Sequence, residues 1–557
     1  MGFPRWVSHG PSDTGRVGVD RRNPAFLSGK AAHSTSTAGE AAMGVYVYLS
    51  ICPEGIEPTA WKAFYRQARD FLTGHPYGLC GLRRERIKGA SRLVYSRQLE
   101  HEPDDPTHRH LRISGDLASM TNAESFCLYE DIGYYRTAPQ PDDDDCTDLL
   151  HSVIEGDHGV AVFSEKTQGR PYHLAVLAVA ILAEGLFPGR ALVSGDINLD
   201  QCREAMATLE EQCGICVPLP LLVDIDRLYA ALVAPAPSLE AIVGYVYAPG
   251  ANPEDRIRVL QRHLARETLL DWLAAQLGEY EGAVTLGVIR SFRDWLNAVG
   301  DLEGLIDAAC FRSGGPKLAP DQLASALVTT GVTLDPQRLD GLDRLDRPAA
   351  SPDSVYSQFG NAMLDLMGAS ARNCRYRLGV AAVVSCLRER FPDQDDACRA
   401  LIERKTETLV QQLEALGAWA ARTRDHADSD AETGDGESFV RHLSGDPLSP
   451  GQDLVLDTFG ARLRPVWADW QSGIVERVGN DVEARHRLLI RAAEHKSLAL
   501  SENGWAWIDV ERDVEILDLL LVLIGEHDNA EIFVNVRRGL FEHRDLCDAL
   551  RKRVVCG

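Results

Sequence analysis

The chain has 557 residues, a formal net charge of −24 and 45% hydrophobic residues. This length allows two to four domains with cores of their own, and the composition is that of a globular protein. The excess of acidic residues argues against general binding to nucleic acid or to an anionic membrane, because phosphate groups attract a basic surface. No apolar run reaches the roughly 20 residues that a membrane-spanning helix needs.

The cysteines and the basic residues indicate where the protein works. Thirteen cysteines are scattered without paired spacing, which predicts reduced thiols in the cytoplasm. The pair Cys213 and Cys216 ends a helical pattern, which favours two half-buried thiols over a redox or zinc site. Arginine far outnumbers lysine, as in proteins from GC-rich bacterial genomes. We therefore expect a cytoplasmic bacterial protein.

The chain begins with a segment that lacks apolar runs, and a strand pattern and a helical pattern follow it. Residues 1–42 contain no hydrophobic segment, so we predict a disordered tail or a mis-assigned start upstream of Met43. Residues 44–51 alternate aromatic and β-branched side chains, which predicts a strand. Residues 59–72 carry apolar side chains at helical spacing.

The clearest fold signal lies between Gly159 and Val233. Apolar runs at 160–163, 191–193 and 217–223 read as strands, and helical patterns follow each of them. The first pattern predicts a buried helix at 172–186, and Asn198 suits the N-cap of the second. Strands that alternate with helices predict a parallel or mixed sheet with right-handed crossover helices. We therefore expect residues 43–235 to form an N-terminal α/β domain.

From residue 236 onward the periodicity is mainly helical. It predicts a helical domain at 236–423, an acidic flexible linker at 424–451 and a C-terminal helical domain at 452–557. The predicted fold class is thus an α/β N-terminal domain followed by a mainly α-helical C-terminal region.

Charged side chains follow each of the three strands predicted between Gly159 and Val233. They are Glu165 and Lys166, then Asp196, then Asp224 and Asp226. The carboxyl ends of parallel strands border the usual ligand crevice, where converging carboxylates would bind Mg²⁺ or Mn²⁺. The alternative is structural, because Asp224 suits a helix N-cap and Asp196 suits a tight turn.

The sequence contains no glycine-rich nucleotide-binding motif, no catalytic-serine elbow and no zinc-protease motif. We therefore predict no other cofactor. The favoured function is a protein-interaction or regulatory module that binds another protein through its helical region, with the α/β domain as scaffold or sensor. The alternative is a metal-dependent hydrolase or phosphotransferase that uses the strand-end carboxylates, with Lys166 contacting an anionic substrate.

Overall fold

The computed structural model describes residues 45–136, 149–333, 339–344, 376–392 and 437–555, with short gaps inside these ranges at 88, 104, 156–158, 249, 251, 281–284, 340 and 526–530, and four positions between 399 and 407. In this part of the chain, a half that contains sheets is followed by a half that is mainly helical. The predicted order of the two kinds of structure is confirmed. Residues 1–42 lie outside the described residues.

The larger sheet has six strands, five of them from the N-terminal half. Its strands are β2 (Leu79–Ile87), β3 (Ala90–Ser96), β4 (Glu100–His101), β5 (His110–Asp116), β6 (Thr121–Tyr129) and β12 (Ala499–Ser501). β2 pairs with β3 and β5, and β5 pairs with β4 and β6, all antiparallel. The sixth strand, β12, arrives from the far end of the chain and pairs parallel with β3.

The strands of the clearest sequence unit lie in a second, three-stranded sheet. Its central strand is β1 (Val47–Ile51), which pairs antiparallel with both β7 (Val160–Phe163) and β8 (Ala191–Gly195). β7 and β8 do not pair with each other, because β1 lies between them and runs antiparallel to both. The predicted third strand at 217–223 is wrong, since this segment is irregular and ends in a turn. A parallel sheet with crossover helices is therefore not confirmed.

Helix α4 (His173–Leu186) lies in the core of the α/β region, which consists of strands β1–β8 and the helices packed on them. Nearly every position on it is apolar and buried, and it packs against β1, β8, α1 (Pro58–Thr73) and α5 (Leu199–Cys213). α5 begins at the predicted N-cap Asn198 and ends at Gly214, whose φ of 66° is accessible to glycine at little cost. A single-turn helix, α2 (Gly133–Arg136), lies against the residues that follow β1.

The middle of the chain forms a helical body with its own core. Its helices are α3 (Leu149–Glu155), α6 (Ile225–Leu232), α7 (Leu239–Tyr247), α8 (Pro253–His263), α9 (Arg266–Gly278), α10 (Leu286–Val299), α11 (Leu302–Ile306), α12 (Pro320–Thr329) and α13 (Val380–Arg390). A π-helical turn, Asp307–Phe311, continues α11. Side chains of α3 and α6 belong to this core, so the helical body includes residues before 236.

The helical body also carries a small sheet that the sequence did not predict. Strands β9 (Gly331–Val332), β10 (Leu342–Arg344) and β11 (Tyr376–Leu378) pair antiparallel. Val332 and Leu378 are buried in the same core as the helices. The described part of 236–423 is therefore helical apart from this sheet.

The C-terminal block forms a third core. Its helices are α14 (Glu437–Val440), α15 (Pro450–Val478), α16 (Val482–His495), α17 (Glu502–Val510), α18 (Val514–Gly525), α19 (Glu531–Glu542) and α20 (Arg544–Val555). Phe439 is completely buried here, and α14 packs against α19. The prediction of a flexible linker at 424–451 is therefore wrong for its last part, whereas residues 424–436 lie outside the described residues.

The structure also bears on the predictions about membrane-spanning helices and about the cysteines. Within the described ranges, none of the helices combines the length and the apolar character that crossing a membrane requires. Cys52 is disulfide-bonded, so the prediction of wholly reduced thiols is wrong at that position, and the eight other described cysteines are free. Cys213 and Cys216 are among the free cysteines and are exposed rather than half-buried.

Candidate functional site

The ends of β7 and β8 lie at one edge of the small sheet, with the start of β1 between them. The backbone N–H of Tyr46 donates to Asp196 Oδ2, and the Asp196 N–H donates to the Tyr46 carbonyl. Both hydrogen bonds are 3.0 Å long. On its other side Tyr46 forms a β-bridge with Lys166, whose Nζ lies 5.3 Å from the tyrosine ring centroid. The structure thus brings Lys166 and Asp196 to the same edge and places Tyr46 between them.

The other predicted carboxylates have structural partners. Glu165 accepts the adjacent backbone N–H of residue 164 at 2.7 Å. Asp224 caps α6, and Asp226 of the same helix forms an ion pair with Arg262 of α8 at 3.0 Å. α6 belongs to the core of the helical body, whereas β7 and β8 contribute mainly to the core of the α/β region. Among the described residues, which include all four carboxylates, no three His, Cys, Asp or Glu side chains are placed to hold a metal ion.

A buried network behind the loop after β7 fixes this edge of the sheet. The Thr167 hydroxyl donates to the Val45 carbonyl at 3.1 Å and lies 2.7 Å from His173 Nδ1. Both side chains are almost fully buried, and burial lowers the pKa of His173. A neutral imidazole suits this position because its charged form would lose hydration. The sequence interpretation missed both residues, since their pairing depends on the path of β1.

Glu184 is a second buried polar residue that the sequence did not single out. Its carboxyl group, near the end of α4, accepts the Val193 N–H at 2.8 Å and the Leu221 N–H at 2.6 Å. Burial raises the pKa of Glu184 to about 7, although the two backbone hydrogen bonds favour the charged form. This side chain therefore links β8 to the segment that was predicted to be a third strand.

The C-terminal block joins the larger sheet along a polar seam. Beside the β3–β12 pairing, the Arg92 guanidinium of β3 donates to Asp509 of α17 at 2.8 Å and to Glu85 of β2 at 3.0 Å. The same guanidinium lies 4.9 Å from the ring centroid of Trp505, whose indole N–H donates to the Leu93 carbonyl at 2.8 Å. Strand pairing, ion pairs and ring contacts therefore all join the larger sheet to the C-terminal block.

A cleft of about 590 Å³ opens along this seam. The α/β region supplies the end of β3 and the turn between β5 and β6, and the C-terminal block supplies residues 440–443, 501–503 and 542–543. Its lining mixes charged, polar and apolar side chains, among them Arg97, Arg441 and Glu502, His442 and His543, and Leu117, Met120, Val440 and Leu443. A second cavity along the seam is smaller, at about 270 Å³.

Several buried or half-buried ionisable groups at the cleft have hydrogen-bond partners within the protein. His442 Nε2 lies 3.0 Å from Asp545 Oδ2, and its ring centroid lies 5.4 Å from that of His543. Burial acts to raise the pKa of Asp545, but hydrogen bonds from a backbone N–H and from His442 hold it below its usual value. On another wall Ser501 donates its hydroxyl and its N–H to Glu542, whose pKa burial raises.

These pairs shape the wall, and other lining side chains are exposed to solvent. Arg97, Arg441 and Glu502 are exposed, and Leu443 is 69% exposed. The sequence interpretation missed this cleft because its walls lie hundreds of residues apart in the chain. The local signal was also misleading, since Arg441 and Leu443 fall in the segment assigned to the linker.

The comparisons with known proteins add no relationship. Neither a protein-family model, nor a curated protein, nor a solved structure matches the chain.

Proposed function

We propose that the protein is a protein-interaction and regulatory module in which the α/β region is the scaffold and the cleft along the seam receives a segment of a partner protein. The supporting observation is Leu443, a large apolar side chain that is 69% exposed at a cleft lined by further apolar residues. Exposed apolar groups gathered at a concave surface are typical of protein-binding sites, whereas single scattered ones are ordinary.

The chemistry of the cleft suits a peptide segment better than a compact small molecule. Leu117, Met120 and Val440 provide an apolar floor, while Arg97 and Glu502 carry opposite charges. A polypeptide offers apolar side chains, charges of both signs and backbone hydrogen-bonding groups within a few residues, which is the mixture found in protein interfaces. Among the residues that the structure describes, nine of the twelve exposed large apolar side chains also belong to the helical part of the chain from residue 236 onward, which is where we expect the partner to bind.

Substitution of Leu443 tests the proposal without disturbing the core. We expect the full-length protein to co-purify a defined partner from its source cells, and Leu443→Asp to lose that partner while it keeps the thermal unfolding profile of the native chain. Leu186→Asp is the matched control, because Leu186 is also exposed but lies on α4 of the α/β region. Retention of the same partner by Leu443→Asp would contradict the proposal.

Deletion of residues 452–557 is a poorer test. It would remove β12 and Asp509, which pair with β3 and with Arg92. The exposed edge of β3 would then favour aggregation, and loss of a partner could follow from misfolding alone.

The alternative function, a metal-dependent hydrolase or phosphotransferase, would rest on Glu165, Asp196, Asp224 and Asp226 with Lys166 as the anion contact. The structural partners of these carboxylates, described above, favour the interaction proposal over it. The effect of Mg²⁺ or Mn²⁺ on the melting temperatures of the native chain and of Asp196→Asn tests the alternative directly.

A further inference from the structure

A second cavity of about 270 Å³ lies along the same seam. The α/β region contributes Tyr95 and Asn122, and the C-terminal block contributes Lys496, Arg537 and Arg538. Its volume is close to the lower end of known ligand pockets, which is about 300 Å³. The cavity therefore suits a small ligand that would touch both parts of the protein.

The charge of this lining is opposite to that of the protein as a whole. The chain carries a net charge of −24, yet Lys496, Arg537 and Arg538 line this cavity together, and none of the lining residues that the structure describes is acidic. These side chains also have contacts within the protein. The preference for an anion therefore follows from the sign of the lining and not from any unpaired group.

Uncharged polar groups line the same cavity as the three cations. The Tyr95 hydroxyl donates to Asn122 Oδ1 at 2.7 Å. This bond uses the amide oxygen of Asn122, and its NH₂ group can still donate to a ligand. The cavity also adjoins the end of α16, where exposed carbonyls would repel an anion. These carbonyls instead accept the N–H groups of Lys496, Ser497 and Leu498. Ile524 and Phe541 supply an apolar wall.

We propose that this cavity binds a small organic oxyanion, a phosphate or carboxylate carried on an apolar group, with Lys496, Arg537 and Arg538 around the charge and Ile524 and Phe541 against the apolar part. Arginine suits this role because its planar guanidinium matches phosphate and carboxylate oxygens. A ligand held between the two parts of the protein would stabilise their contact, since binding to the folded state alone raises stability.

Calorimetric titration of the full-length protein with phenyl phosphate tests the site, with phenylacetate, inorganic phosphate and benzyl alcohol as comparison probes. We expect saturable binding of phenyl phosphate or phenylacetate that weakens as salt is added, weaker binding of inorganic phosphate and none of benzyl alcohol. The tighter of the two organic anions identifies the preferred oxyanion. Equal binding of benzyl alcohol, or no saturable binding of either organic anion, would overturn the proposal.

Substitutions locate the binding. Arg538→Gln should weaken binding by at least about tenfold, the loss expected when a charge-assisted hydrogen bond is removed. Lys496→Gln, on another wall, provides a second variant if the first does not fold. Arg491→Gln is the matched control, because Arg491 is exposed on α16 and does not line the cavity. Unchanged binding in both cavity variants, or an equal loss in the control, would refute the assignment. These titrations contain no protein partner, so their failure leaves the proposed function of the cleft standing.

Discussion

The buried carboxyl of Glu184 makes the stability of the α/β region depend on pH in a direction that the structure fixes. Burial raises its pKa from 4.5 to about 7, so the folded protein binds this proton more tightly than the unfolded chain does. The resulting stabilisation is complete below pH 4.5 and is lost as the pH rises through about 7. For a single group with these two pKa values, it amounts to roughly 1 to 2 kcal/mol at about pH 6 and to almost nothing at about pH 9.

Chemical denaturation of the native chain and of Glu184→Gln at these two pH values isolates this effect. Glutamine does not titrate, so the difference in the free energy of unfolding between the two proteins should shrink by roughly 1 to 2 kcal/mol from about pH 6 to about pH 9. Glutamine also offers a single oxygen to the Val193 and Leu221 N–H groups, which lowers the stability of the variant at both pH values without changing this slope. Glu240→Gln, at an exposed position of α7, should show no such change. A constant difference for Glu184→Gln would refute the reasoning.

Three further predictions follow from the C-terminal block, the seam and the strand-end site. Arg485 and Asp518 form an ion pair whose side chains are both almost fully buried. Arg485→Ala should therefore lower the free energy of unfolding, measured with denaturant, by about 3 to 5 kcal/mol. Replacing both residues by apolar ones of similar size should recover most of that loss. Arg92→Ala should speed limited proteolysis at the seam, because the pairs that join β3 to α17 are lost; Arg84→Ala, on an exposed position of β2, should not, and equal cleavage of the two variants would contradict this role. Mg²⁺ or Mn²⁺ should shift the melting temperature of the native chain and of Asp196→Asn equally, and a larger shift in the native chain would revive the metal-dependent alternative.

Local signals in the sequence predicted the elements well. The apolar run before Pro188 predicted a buried helix at 172–186, and the structure has it at His173–Leu186. Asn198 was expected to cap a helix, and its side chain accepts the Gln201 N–H at 3.0 Å. Such features depend on neighbouring residues, which is why composition and spacing reveal them.

Pairing between distant segments could not be predicted in the same way. β1 separates β7 from β8, and no property of the segment Gly159–Val233 indicates that a strand from residue 47 lies between its strands. The parallel pairing of β12 with β3 joins residues about 400 positions apart, so neither the seam nor the cleft leaves a local signal. The apolar residues at 217–223 have strand-like character, but Pro218 and Pro220 lack an N–H, and Glu184 takes the N–H of Leu221.

The predicted convergence of the strand-end carboxylates failed for the same reason, because it depended on how distant strands pair. Asp224 and Asp226 were grouped with Asp196 on the assumption that a third strand ends beside the other two. Without that strand, the two aspartates begin α6 and serve as its N-cap and as an ion-pair partner of Arg262. Lys166 and Asp196, which follow real strands of one sheet, lie on either side of Tyr46 at a common edge.

The most direct test of the proposed function is photo-crosslinking from the cleft. A photoreactive phenylalanine derivative would replace Leu443 in the full-length protein in its source cells, and Leu186 in the control. We expect a discrete adduct with one partner protein from position 443, lost when Leu117 and Met120 on the cleft floor are both replaced by aspartate in a chain that still folds, and no such adduct from position 186. Absence of an adduct at position 443, or the same adducts from both positions, would contradict the assignment of the cleft as a protein-binding site.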